Sequence, residues 1–184
     1  MDKKIILAIV GLPGAGKTET VEYIMKERNW PKVYFGDVTF DEMKKNNIEI
    51  NEANERKMRE SIRSKLGMGA YAILNVPKIQ ELFKNTSVIV ESLYSWEEYL
   101  EMKKEFGDSF KVLAIYSNPE TRIARMVDRP IRPLNREDMI SRDYAQIANL
   151  HQAGPIARAD WTIVNEGTKE DLYRQIDILI KELI

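Results

Sequence analysis

Residues 5–18 read Ile5-Ile6-Leu7-Ala8-Ile9-Val10-Gly11-Leu12-Pro13-Gly14-Ala15-Gly16-Lys17-Thr18. The first six form an unbroken apolar run rich in β-branched residues, with charge before it and glycine after it. That pattern predicts a strand buried on both faces. The last eight fit G-x-x-x-x-G-K-[ST], and each part has a physical task. The glycines at 11, 14 and 16 allow a backbone whose successive N–H groups turn onto phosphate oxygens. Pro13 and Ala15 complete the loop, and the helix that follows adds its positive end to the same anion. Lys17 reaches the β- and γ-phosphates of a nucleotide, and the Thr18 hydroxyl suits Mg²⁺. A dinucleotide fingerprint G-x-G-x-x-G fails, because Glu19 holds its last glycine position.

Outward from this loop, strands and helices alternate. Strands are predicted at Ile5–Val10, Lys32–Phe35, Ser87–Val90, Phe110–Tyr116 and Trp161–Val164. Between them fall a helix over 18–28, two helices within 39–66 broken near Asn46–Asn51, and one over 70–83 interrupted at Pro77. Ser95 and Glu98 form a capping-box pattern at the start of the next helix. Asn118-Pro119 opens a helix to Val127, Asn135 caps one running to about Leu150, and Thr168–Leu183 is amphipathic. The alternation predicts an α/β fold of three layers, with a five-stranded parallel sheet and helices on both faces.

Composition mainly closes doors. The chain has 184 residues, 28 Lys+Arg against 29 Asp+Glu, one His and no Cys. A single domain is expected from a length within the roughly 100–200 residues usual for one. Thiol catalysis, disulfides and cysteine metal sites are excluded, and so are two-histidine metal sites. The near-zero net charge argues against a general nucleic-acid or membrane binder. The six-residue apolar run is too short for a signal or a span, so a cytoplasmic location is the expectation.

The basic residues are segregated. No Lys falls between positions 112 and 168, yet seven of the twelve Arg do: Arg122, Arg125, Arg129, Arg132, Arg136, Arg142 and Arg158. A guanidinium is a planar fork that grips phosphate bidentately, whereas an ammonium is a point charge. Arg125, Arg129 and Arg132 span a helix end and a Pro-flanked loop that could fold over a triphosphate. The plainer alternative is a solvated helix with Glu120, Asp128 and Asp138 as partners. Thr168-Lys169-Glu170-Asp171 matches the guanine-reading T-K-x-D, but it is equally a capping box for the last helix. No D-x-x-G follows the third strand.

These motifs, in this order, resemble the P-loop nucleoside monophosphate kinase group, and most closely its archaeal adenylate-kinase-related, dephospho-CoA-kinase-like members. Phe35-Gly36-Asp37 is similar to the acceptor-site Gly-Asp. The segment 118–129 resembles the arm entering a lid, with Arg125 and Arg129 at its paired arginines. Arg142 and Gln146 resemble the R-x-x-x-Q leaving it, and residues 159–168 resemble the closing A-D-x-x-I-x-N-x-G-[ST] segment. The resemblance implies helices for the acceptor at about 37–83 and a lid at about 126–142. It implies phosphoryl transfer from ATP with Mg²⁺ to a nucleotide-like acceptor, of nucleoside monophosphate or dephospho-CoA type.

In that scheme Lys17, Arg125, Arg129 and Arg132 neutralise the transferring group, and Asp37 orients the acceptor or accepts a hydroxyl proton. Asn165 and Gly167 border the adenine, and Thr18 and Glu91 serve Mg²⁺. One departure stands out. Family members often carry Asp-Gly-x-x-Arg after the third strand, where this chain has Glu91-Ser92-Leu93-Tyr94-Ser95. Arg59 or Arg63 could replace the missing grip. The alternatives are a slow NTPase whose output is a regulated partner, and a nucleic-acid-end kinase. Neither a membrane nor, in the leading scheme, nucleic acid is an expected partner.

Overall fold

The computed structural model describes residues 4–130 and 133–183. Five strands, β1 (Ile6–Val10), β2 (Lys32–Tyr34), β3 (Val88–Glu91), β4 (Phe110–Tyr116) and β5 (Trp161–Val164), form one sheet in the order β2-β3-β1-β4-β5. Every pairing is parallel, as the alternation requires. The expected bounds shift by a residue at β1, β2 and β3, within the usual uncertainty of strand ends.

β1 is central and wholly buried. Its side chains alternate between two cores, because successive Cβ atoms leave opposite faces of a strand. Ile6, Ala8 and Val10 face one core with Val33, Tyr71, Ile79 and Met102. Leu7 and Ile9 face the other with Val21, Ile24, Leu172 and Ile176. The second core is closed by α1 (Lys17–Arg28) and α9 (Lys169–Leu183), and the first by α4 (Ala70–Phe83) and α5 (Trp96–Phe106).

The helical region predicted within 39–83 consists of α2 (Asp37–Lys45), α3 (Glu52–Leu66) and α4. α2 and α3 are separate, as the polar break implies. Pro77 lies inside α4 without ending it, contrary to the expected interruption. After β4 come α6 (Pro119–Val127), α7 (Arg136–Leu150) and a short α8 (Ala153–Ala157) absent from the sequence reading. Ile123, Met126 and Met139 form a small separate core joining α6 to α7.

The caps fall where the sequence places them. Ser95 and Glu98 make a reciprocal capping box, and Asn118 and Asn135 cap α6 and α7. At α9, Asp171 N donates to Thr168 Oγ1 at 3.2 Å and Thr168 N donates to Asp171 Oδ2 at 3.1 Å. The T-K-x-D match is therefore occupied as a capping box. Thr168→Ala is expected to lower stability by about 1 kcal/mol in urea unfolding, the usual cost of a lost cap. Any selectivity between adenine and guanine nucleotides should not move in that variant; a changed selectivity would restore the guanine-reading alternative.

Candidate functional site

The chain leaves β1 at a switch point, because β3 lies on one side of it and β4 on the other. Crevices at the carboxyl ends of such strands are where open α/β sheets hold ligands. The loop 11–16 fills this position, and its geometry follows from where its carbonyls go. Gly11 O accepts from Gln152 Nε2 at 3.1 Å, and Leu12 O accepts from Lys17 Nζ at 3.1 Å. Pro13 O accepts from Arg122 Nη1 at 3.1 Å, and Ala15 O from Asn165 Nδ2 at 2.8 Å. Four carbonyls are thus engaged by four side chains, three of them drawn from distant parts of the chain.

Glycine is needed where the loop lies tightest. Gly14 has φ 79° and a Cβ there would lie 2.7 Å from Arg122 O. Gly16 has φ 107°, and its Cβ would lie 2.4 Å from Asn165 Nδ2. Gly16 also begins α1 without any side-chain cap. The leading N–H groups of a helix have no partner within it, so those at Lys17 and Thr18 remain for a ligand. A cradle that side chains would obstruct, an uncapped helix start and a lysine arched across the loop together fit a bound phosphate chain.

Lys17 is only partly exposed, and burial pushes its ammonium down to about 8. Glu91 opposes that shift, while Arg122 and Arg142 reinforce it. Thr18 is exposed. Among the described residues no group of three or more His, Asp or Glu could hold a metal. Mg²⁺ does not require one, because it usually keeps its waters and uses one or two protein ligands plus substrate phosphates. Thr18 and Glu91 suit such a minimal set.

Arg122 is 3% exposed and makes four bonds. Besides Pro13 O, its Nε donates to Ser117 O at 3.2 Å, and its Nη1 and Nη2 grip Asp143 at 2.9 and 2.6 Å. Its partner is therefore on α7, and none of Glu120, Asp128 and Asp138 serves. Glu120 pairs instead with Arg136, at 2.8 and 2.6 Å. Arg122 joins the phosphate loop, the end of β4, α6 and α7 in one contact. Sequence spacing gave no signal for this, since the two residues are 21 positions apart.

Two clefts lie on opposite sides of β1. One, of about 400 Å³, is lined by Gly16, Arg125, Asn165, Gly167 and Leu172. Arg125 is anchored in it by bonds to Ser117 Oγ at 2.9 Å and Asn165 O at 3.1 Å. The other, of about 380 Å³, is lined by Lys32, Tyr34, Asp37 and Glu91. There Glu91 pairs with Lys32 at 2.8 Å, and Asp37 with Lys78 at 3.6 Å.

The expected site residues thus divide. Lys17 and Thr18 stand at the loop, Asp37 and Glu91 on one side, Arg125, Asn165 and Gly167 on the other. Arg129 is exposed beyond the end of α6, and Arg132 lies outside the described residues. Arg142, seen in sequence only as part of a lid motif, is within electrostatic reach of Lys17 and Tyr94. Gln152, fully buried against the loop, carried no sequence signal.

The AAA domain family matches residues 7–146. A UPF0200 protein of Pyrococcus furiosus is 36% identical over 180 residues, covering 96% of this chain and 96% of its own. Among solved structures, a shikimate kinase from Bacteroides thetaiotaomicron aligns with TM-score 0.60 at 13% identity, over 96% of this chain and 98% of its own. A gluconokinase from Sinorhizobium meliloti aligns with TM-score 0.58 at 12% identity, over 100% and 97%. At such identities the likeness is one of fold, and the fold is that of P-loop kinases.

The latch yields a prediction. Asp143→Ala leaves a buried guanidinium without its counter-charge, which costs about 3–5 kcal/mol when a buried pair is broken. Urea unfolding should register that loss, and the thermal shift produced by ATP should shrink. Removing both partners should cost less than the two single losses added together. An unchanged unfolding midpoint in Asp143→Ala would dismiss the latch.

Proposed function

The chain belongs to the UPF0200 family and carries an AAA domain on a P-loop kinase-like fold, and on that premise we propose that it is an ATP-dependent phosphotransferase with a small-molecule acceptor. The observation that carries this reading is the pair of clefts flanking β1, with Lys17 between them. A pure NTPase needs a place for its nucleotide alone. A transferase needs a second cleft beside the γ-phosphate.

The roles follow from position. The base lies in the cleft of Arg125, Asn165 and Gly167, and the phosphates lie on loop 11–16. The acceptor occupies the cleft of Lys32, Tyr34, Asp37 and Glu91, to which α2 contributes Asp37. The bond between the γ-phosphorus and its bridging oxygen breaks, ADP leaves, and a new bond forms to the acceptor oxygen. Asp37 orients that oxygen and takes its proton where the acceptor is a hydroxyl. Lys17 stays on the phosphate oxygens, and Arg129, Arg132 and Arg142 add charge as the lid at 126–142 closes. Positioning and charge stabilisation supply most of the catalysis in this class. Thr18 and Glu91 would hold Mg²⁺, which would supply charge neutralisation for the transfer.

A nucleotide-like acceptor, of nucleoside monophosphate or dephospho-CoA type, is supported by the ordered motifs at 35–37, 118–129 and 159–168. The second reading, a slow NTPase that signals to a partner, is favoured by the arginine missing after β3. A coupled ADP-release screen over nucleoside monophosphates, dephospho-CoA and small hydroxyl metabolites decides between them. Acceptor-stimulated turnover supports the transferase, and a flat response across the panel supports the NTPase.

Lys17 gives two further tests. ATP at about 100 times its Kd should stabilise the protein by about 2.7 kcal/mol, and Lys17→Ala should abolish this thermal shift. Phosphate favours the charged amine, whereas the free protein begins to lose that proton near pH 8. ATP binding should therefore take up a proton at pH 8 to 9, and affinity should fall as pH rises through that window. Calorimetry in buffers of different ionisation enthalpy measures the uptake, which should vanish in Lys17→Ala.

A further inference from the structure

Both carboxylates that line the second cleft, Asp37 and Glu91, face a lysine, but the two pairs differ in kind. Lys78 and Asp37 stand 3.6 Å apart with both side chains about half exposed, a loose surface pair of little energetic weight. Lys32 Nζ lies 2.8 Å from Glu91 Oε2, and these side chains are only 33% and 14% exposed. Lys32 opens β2, an edge strand, opposite Ile89, so Glu91 is its diagonal neighbour across the two strands. A lysine on an edge strand is ordinarily explained as protection against pairing with another chain. That role is served by an ammonium in water, whereas this one is drawn in to a mostly buried carboxylate at the end of β3.

Lys17 does not take that carboxylate. Its Nζ donates to Leu12 O at 3.1 Å, although Glu91 is close enough to favour its charged form. Among the described residues Lys32 is the one ion-pair partner of Glu91. Glu91 is also the carboxylate that suits Mg²⁺ beside the phosphate loop. Such a metal keeps most of its waters and uses one or two carboxylates together with substrate phosphates. An ammonium and a divalent cation on one carboxylate repel each other, the more so where water is partly excluded. Lysine is built for an exchange, because its charge sits at the end of a flexible four-carbon stem.

We propose that Lys32 is the resident counter-ion of Glu91, and that Mg²⁺ arriving with the nucleotide takes the carboxylate from it. Lys32 is then a positioning residue that acts through Glu91: it holds the carboxylate in place and sets how strongly the metal is bound. The proposal rests on the phosphotransferase reading and on Glu91 as its Mg²⁺ residue. Both members of the pair line the second cleft, so the exchange changes that cleft's charge as the nucleotide binds. Occupancy of one cleft is thereby passed to the other.

The test measures the affinity of a non-hydrolysable ATP analogue by calorimetry, with Mg²⁺ and again with EDTA. The ratio of the two affinities reports the metal's contribution. Lys32→Gln should raise that ratio by about tenfold, because the metal no longer displaces a bound cation and the unpaired carboxylate repels the metal-free nucleotide. In Glu91→Gln the ratio should fall below wild type, and adding Lys32→Gln should then change it little. Circular dichroism checks folding, and Lys32→Met replaces Lys32→Gln if that variant is unfolded.

An unchanged or lower ratio in the folded Lys32 variant overturns the proposal. An equal rise in the Glu91→Gln background also overturns it, since a mere loss of positive charge acts without the carboxylate. A ratio in Glu91→Gln equal to that of wild type removes Glu91 from the metal site, and the exchange falls with it. If the analogue does not bind wild type at all, the phosphotransferase reading fails separately, and Mn²⁺ alone is titrated by electron paramagnetic resonance. Tighter Mn²⁺ binding in Lys32→Gln than in wild type, abolished by Glu91→Gln, then supports the exchange on its own, and equal binding overturns it.

Discussion

The phosphate loop depends on its carbonyls being held outward. A peptide is planar, so a carbonyl turned away from the crevice turns its N–H group toward it. Gln152, Arg122 and Asn165 each take one carbonyl of the loop, and they come from the start of α8, from α6 and from the end of β5. Lys17 takes a fourth from within. The loop is therefore shaped by parts of the chain more than 100 residues away as well as by its glycines. This is pre-organisation: a loop whose carbonyls are already engaged has less to reorganise when charge arrives.

The same contacts link the loop to the helices that carry the arginines. Arg122 grips Asp143 on α7 while holding Pro13, and Arg125 one turn on is anchored to Ser117 and Asn165. The Arg-only stretch of the chain thus contains two kinds of arginine. Arg122 is consumed in building the site, and Arg125 in walling one cleft. Arg129 and Arg142 stay exposed. Burying a guanidinium is tolerable only with a full set of partners, and Arg122 has them.

This division explains what could be read from the sequence. The sheet, its parallel sense and the loop were legible because they rest on local patterns: an apolar run, a glycine spacing, caps at fixed offsets. The capping boxes at Ser95 and Thr168 were legible for the same reason, each being complete within four residues. Arg122 was not, because its meaning lies in Asp143 and Pro13, brought to it by tertiary packing. Gln152 was invisible for a related cause. A glutamine after a helix resembles any surface residue until α8 folds it against Gly11. Helix α8 itself, five residues with Gly154 and Pro155 inside, carries too little periodicity to register.

The turn after β3 holds its shape at a cost in backbone strain. Ser92 has φ 69°, in the left-handed region that a glycine would occupy without strain. For a residue with a Cβ this costs roughly 1–2 kcal/mol. Part of that cost is offset, because Ser92 Oγ donates to Tyr94 OH at 3.1 Å, a bond glycine lacks. The turn holds Glu91 in an ion pair with Lys32 and within electrostatic reach of Lys17. Leu93 and Tyr94 turn toward packing: Leu93 is 1% exposed. A strained serine, held by its own side-chain bond, thus keeps the Glu91 carboxylate in the wall of the cleft with Tyr34 and Asp37.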